Sequence, residues 1–418
     1  MMGPDRIEEF REACSAHMGI ETSIGGTQAI DNVSTLEVQD GQLLPGLLDE
    51  ITLNQVVPRL PWKSVPILAS VSRSWRQAAK SRQLYDSRVL FRSTETFLVT
   101  LVLSSRQPPR YDEQIGLYSM NDRIGYTLPH LPESQREGPG FPLFCRCILL
   151  GGQVYVLGGE KETFRGSSEV YVFDLRAQSG WQKCADMHEA RYDFGCAVKD
   201  GKIYVFGGTL RTSPSCGSEC YDPETNVWSR ISPMPSRRGG HQVIILGEEL
   251  IVYGGQVYYR DYAALDESTN EDMFPDEYVE SANFLEVYHP VKDEWRVVQP
   301  IGKQFEGVVF TAGGKLHSLT NHAIEVYDSS KNAWSRRHSS ALGPGNKVYP
   351  QGVLVCNDEL LVGILLESDI MQYPGSYLLQ STGFDSDMEA VVWQREKLPL
   401  SFGGNGMSVY PLLGFVQL

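Results

Sequence analysis

Long apolar runs are missing from this 418-residue chain. Stretches such as 97–103 (FLVTLVL) fall far below the roughly 20 residues that cross a bilayer, so no helical membrane span is expected. Basic residues are scarce as well. Lys and Arg number 37 against 52 Asp and Glu, a formal net charge of -15 at pH 7. A sequence-independent grip on nucleic acid or an anionic membrane needs clustered cations, which leaves a protein or a neutral small molecule as the partner. Histidine and cysteine are few, eight of each. Cys145 and Cys147 in CRC, and Cys216 and Cys220 in CGSEC, have no matching ligand pairs, so no metal site is expected there. No glycine-rich phosphate loop leads a strand into a helix, and no catalytic residue or cofactor is expected. The opening MMGPDRIEEFREAC places charges where a secretory signal would be apolar, so the expected location is cytoplasmic and/or nuclear, with reduced thiols.

Glycine, by contrast, is abundant at 40 residues, which suits many short strands joined by tight turns. A chain of this length needs either several domains or a repeat, and a repeat is present. GQVYVLGG is followed by VYVFDLRAQSGW, GKIYVFGG by CYDPETNVW, and EELIVYGG by VYHPVKDEW. A weaker copy, which lacks the glycine pair and carries His317 and His322, reads GKLHSLTN and then VYDSSKNAW. Tyr221 and Trp228, Tyr288 and Trp295, and Tyr327 and Trp334 are each seven residues apart.

Each copy has room for four short strands. A lone sheet of that size leaves its faces and edges open, and stacking such sheets radially covers them, so the expected fold is an all-β propeller. The structural repeat residues are Gly158, Gly159, Trp181, Gly207, Gly208, Trp228, Gly254, Gly255, Trp295, Trp334 and Trp393. The glycines are expected to let strands crowd near the axis, and the tryptophans to fill the wedge between blades. Six blades are counted, the first degenerate and without an innermost strand. The tail GMSVYPLLGF is the spare strand that would complete it.

Ahead of the repeats lie two other regions. Residues 1–42 are acidic and small-polar and are expected to be disordered. Residues 43–90 read as helices: Asp49 and Glu50 favour a helix start, Leu53, Val56, Val57 and Leu60 recur at helical spacing, and Pro61 ends the run. Leu68, Val71 and Trp75 are expected on one face of a second helical stretch. A segment this small is not expected to close a core of its own, so it must pack on the propeller or on a partner. The propeller occupies 93–418.

LLPGLLDEIT, VPRLP, ASVSRSWR and SRQLYDSR resemble an F-box, and the glycine pairs with Tyr and Trp resemble kelch repeats. The chain is thus similar to the plant-type F-box/kelch-repeat proteins over nearly everything after residue 42. That resemblance implies a non-catalytic substrate receptor of an SCF-type ubiquitin ligase. The helices would dock a Skp-family linker, and through it cullin and RING subunits, while the propeller holds the target protein for ubiquitination and degradation. It also implies Leu44, Pro45, Leu48, Ile51, Val57, Leu60, Pro61, Leu68, Val71 and Trp75 as the linker-binding residues. Leu48 stands where the family usually has proline. Some plant members recognise phenylpropanoid or flavonoid pathway enzymes, a candidate target class here. The rival readings are a non-degradative scaffold and a kelch-type oxidase.

Two loop sets compete for the target. The connections between blades carry Arg191, Tyr192, Arg237, Arg238, His241, Lys303, Lys347 and Tyr349, a cationic and aromatic rim that either binds an acidic segment or ties the loops together. The other is an insertion at 257–283, where Asp261, Asp266, Glu267, Glu271 and Asp272 alternate with Tyr262 and Phe274. Long loops of this kind are either functional or solvated excursions.

Overall fold

The computed structural model describes residues 43–44, 48–62, 64–79, 81–103, 113–120, 125–131, 141–162, 165–176, 180–209, 215–258, 279–281, 284–298, 308–320, 323–328, 331, 333–339, 348–356, 359–366, 376–381, 393–397 and 408–417. The acidic segment 1–42 and most of the insertion therefore lie outside the described residues. Among those described, no helix is long and apolar enough to cross a membrane.

The first helical run starts at Asp49, whose carboxylate accepts the Leu43 N–H at 2.7 Å. It widens to a π-helical segment at Thr52–Val56 and tightens to a 3-10 turn at Val57–Arg59. Three helices follow, at Ser64–Val71, Arg73–Ala79 and Arg82–Leu90. The stretch expected to be one helix is interrupted at Ser72, whose Oγ accepts the Trp75 N–H at 3.1 Å and caps a new start. That restart turns Leu68 and Trp75 inward and leaves Val71 exposed, so the three do not share a face. Leu43, Val57, Leu60, Val65, Leu68, Trp75, Ala78, Ala79 and Leu84 form one buried cluster. Contrary to expectation, the helices do close a small core.

They also lean on the propeller. Trp62 belongs to the cluster of the first two blades, with its ring 4.9 Å from Phe97 and 5.4 Å from Tyr126. Its backbone N–H reaches Glu95 at 2.6 Å. Buried Arg88 donates to the carbonyls of Leu60 at 2.6 Å and Ser93 at 2.7 Å, and Arg176 of the second blade lies over the Tyr85 ring.

The remaining residues form a β-propeller. Six four-stranded antiparallel sheets are present among the described residues. In sequence order within the molecule they are 408–417 with 96–103, 113–119 and 125–127; then 146–150 to 181–183; 195–199 to 227–231; 242–246 to 294–298; 308–312 to 333–339; and 348–356 to 393–397. The innermost strands touch in ring order, and strand 408–417 contacts both 348–356 and 146–150. That same strand pairs with Thr96–Leu103, which is the pairing expected of the tail.

The seven-residue spacing has a physical cause. Tyr221 and Trp228 face each other across the two outer strands with rings 4.9 Å apart, and Asn226 makes the intervening turn at φ 55°. Asn226 Oδ1 accepts both the Tyr221 hydroxyl at 2.8 Å and the Ala185 N–H of the preceding blade at 2.9 Å. In the fourth blade Asp293 does the same for Tyr288 and for Ser232. The tryptophan indoles complete the stitch: Trp181 donates to Pro129 O, Trp228 to Ala185 O and Trp295 to Ser232 O, each in the blade before.

In the second and third blades the first glycine of the pair is needed for a close approach as well as a turn, whereas at Gly254 only the turn requires it, since a Cβ there would meet nothing within 4 Å. Gly158 has φ +56°, and a Cβ there would lie 2.5 Å from Arg191 O of the next blade's loop. At Gly207, also φ +56°, it would lie 2.7 Å from Arg238 O.

Candidate functional site

The helical surface divides the expected linker-binding residues into two groups. Val57, Leu60, Leu68 and Trp75 are buried in the helices' own cluster and support the surface from behind. Leu48 is 65% exposed and Val71 49%. Leu44, Ile51 and Pro61 are half-buried, and Pro45 lies outside the described residues. Exposed Ile67, on the same helix as Val71, was not singled out by the sequence reading.

On the propeller, the two competing loop sets lie on the same end of the blades. The inter-blade connections pair with the loops between second and third strands: Leu143 bridges Glu160, Ser167 bridges Arg191, and Tyr192 bridges Thr209. Arg237–Gly239 pairs with Gln256–Tyr258, and that strand pairs with Val279–Ser281. Arg237 is therefore directly across from Tyr258 at the root of the acidic insertion.

Three members of the expected cationic rim point inward. Arg191, Arg238 and His241 have no exposed surface, which corrects the expectation that they meet a target. Arg191 donates to Glu219 at 2.7 Å and to the carbonyls of Gly207 at 2.7 Å and Gly217 at 2.9 Å. Arg238 lies 3.2 Å from the Glu286 carboxylate and over the Phe284 ring. His241 Nε2 accepts the Gly195 N–H at 3.1 Å. Buried charges persist only when paired and hydrogen-bonded, and here the partners are supplied. Tyr192 and Arg237 are half-buried. Lys303 and Lys347 lie outside the described residues, and Tyr349 sits in the strand Val348–Cys356.

Burial pushes the Glu219 carboxyl up, but the His188 N–H, the Arg191 charge and their side-chain bonds outweigh it and hold it below the usual carboxylate range. At Glu286, burial prevails over Arg238 and two bonds from Ser236, and the carboxyl is raised. His241 is driven well below the ordinary imidazole range, first by burial and then by Arg238 and Arg146, so it is neutral. The two acidic partners carry a signal in the sequence: Glu219 and Glu286, like Glu169 and Glu325 in other blades, each stand two residues before a repeat tyrosine.

A family model of kelch repeats, described as the KLHDC2/KLHL20/DRC7 Kelch-repeats domain, matches residues 142–308. An F-box/kelch-repeat protein of Arabidopsis thaliana is 30% identical over 221 residues, covering 52% of this chain and 56% of its own length. F-box/kelch-repeat protein SKIP30 of the same plant is 34% identical over 202 residues, 45% of this chain and 53% of its own. The chain is similar to plant F-box/kelch-repeat proteins. A third Arabidopsis member extends the likeness to 344 residues at 26% identity, 70% of each chain. The chain spans about half the length of the first two relatives. The kelch match begins in the loop that enters the second blade and covers the blades in which the tryptophan stitches and buried Arg–Glu pairs occur.

Proposed function

We propose that this chain is a substrate-recognition adaptor of an SCF-type ubiquitin ligase. Its helical segment is an F-box that docks a Skp-family linker, and through it the cullin and RING subunits. A six-bladed kelch propeller, closed by the C-terminal strand, holds the target protein on the loop face that carries Tyr192 and Arg237. The observation that carries the reading is the exposed apolar set Leu48, Ile67 and Val71 on helices whose core is already filled. Leucine and valine that a helical unit does not need for itself are the anchors a partner uses.

Support also comes from the names of the relatives, which join F-box to kelch repeat. The seam at Trp62, Arg88 and Glu95 ties the docking helices directly to the first blade, so a bound target and a bound linker would be held in a fixed relation. The test is co-purification of the full chain with a Skp-family linker and cullin. Stabilisation of a bound target by proteasome inhibition then separates a degradative adaptor from a scaffold.

A further inference from the structure

We infer that Phe144 is the anchor of the propeller's target-binding face, and that it takes an apolar side chain of a partner protein. The inference rests on the reading of the propeller as the recognition module and deepens it.

Phe144 lies in the loop entering the second blade, two residues before the innermost strand begins at Arg146. The corresponding positions in the next two blades are Asp193, before the strand at Gly195, and Gly240, before the strand at Gln242. All three have left-handed backbones, with φ of 54°, 53° and 69°. They are also joined in series: Asp193 N–H donates to Phe144 O at 3.1 Å, and Gly240 N–H to Asp193 O at 2.9 Å. Aspartate and glycine are residues that tolerate this region, whereas a bulky aromatic there is a genuine outlier. Such strain gathers at binding sites when the surrounding structure enforces it.

The strain is not repaid by burial, because Phe144 is 55% exposed. A lone exposed apolar side chain is ordinary; one held in a strained backbone by a chain of inter-loop hydrogen bonds is not. Its ring is 6.3 Å from that of Tyr192, which the sequence had already placed on this face, and Tyr192 is fixed by two hydrogen bonds with Thr209. Beside them Arg146 and Asp193 form an ion pair at 3.5 Å.

The partner's chemistry follows from the charges around this pair. Arg191 and Arg238, the strongest arguments for an acidic target, are buried against Glu219 and Glu286, and the Arg146 charge is met by Asp193. With those cations neutralised, Phe144 is the most exposed large side chain among the described residues at this point of the rim. Fixed aromatic rings at the centre of a face are the usual anchors for an apolar side chain of a partner.

The test uses the full chain and a random-peptide display library. Peptides enriched on the wild type should share an apolar or aromatic residue and bind in solution. Phe144→Gly should weaken them by roughly tenfold or more while its melting temperature stays level or rises, since glycine relieves the left-handed backbone. Enrichment of acidic peptides without an apolar residue, undiminished binding to Phe144→Gly, a melting temperature several degrees lower, or no enrichment at all would each overturn the assignment. The assay does not involve the helical segment, so absence of linker binding would count against the adaptor reading and leave this result standing.

Discussion

Arg191 and Glu219 meet at 2.7 Å with both side chains sealed from solvent, and the same guanidinium holds the carbonyls of Gly207 and Gly217. The pair thereby locks the connection entering the third blade to that blade's second and third strands. Arg191→Met takes the guanidinium from a buried carboxylate that keeps only His188 and the Glu189 N–H as partners, and should cost about 3 kcal/mol in denaturant unfolding. Adding Glu219→Leu should recover a large part of that loss, since the double variant has no orphaned charge. Equal destabilisation by the single and double variants would show that the pair is not coupled.

Trp228 separates packing from hydrogen bonding. Trp228→Phe keeps a ring against Tyr221 but loses the bond to Ala185 O, an expected cost of about 1 kcal/mol. Trp228→Ala opens the wedge and should cost about 3 to 5 kcal/mol. Thermal unfolding of both variants checks the order.

Gly207→Ala places a methyl 2.7 Å from Arg238 O at a left-handed backbone. The expected loss is about 1 kcal/mol or more. A melting temperature equal to that of the wild type would remove the close approach from the account.

His241 makes stability fall on acidification. Its folded pKa is depressed far below 6.5, with Arg238, Arg146 and Arg191 around it, whereas the unfolded chain takes up a proton near 6.5. The stabilisation is complete above about pH 6.5 and is lost progressively as pH drops below it. His241→Gln can still accept from Gly195 N–H and should flatten the profile between about pH 6.5 and pH 5. Parallel profiles for wild type and variant would contradict this.

What the sequence disclosed and what it hid divide by the kind of signal. Tyr221 and Trp228 were legible because the turn between them has fixed geometry, so their spacing recurs. The tail strand was legible because one degenerate blade lacked a strand. Arg191 and Arg238 were misread as surface cations, since charge and loop position suggested solvent; their acidic partners lie in a strand some 30 to 50 residues later. Phe144 was missed because a backbone angle leaves no trace in composition. Val71 and Leu68 shared a face on helical periodicity alone, and the cap at Ser72 changed which of the neighbouring side chains is buried.

The central claim is that apolar side chains left over from the helical core dock a Skp-family linker. Its most direct test is the affinity of the purified chain for a purified linker, compared with that of a Leu48→Asp, Val71→Asp double variant. The wild type should form a stable complex, and the variant should lose roughly 100-fold in affinity with an unchanged melting temperature, because both residues face solvent in the isolated chain. Undiminished binding by the variant, or no complex with the wild type, would contradict the account.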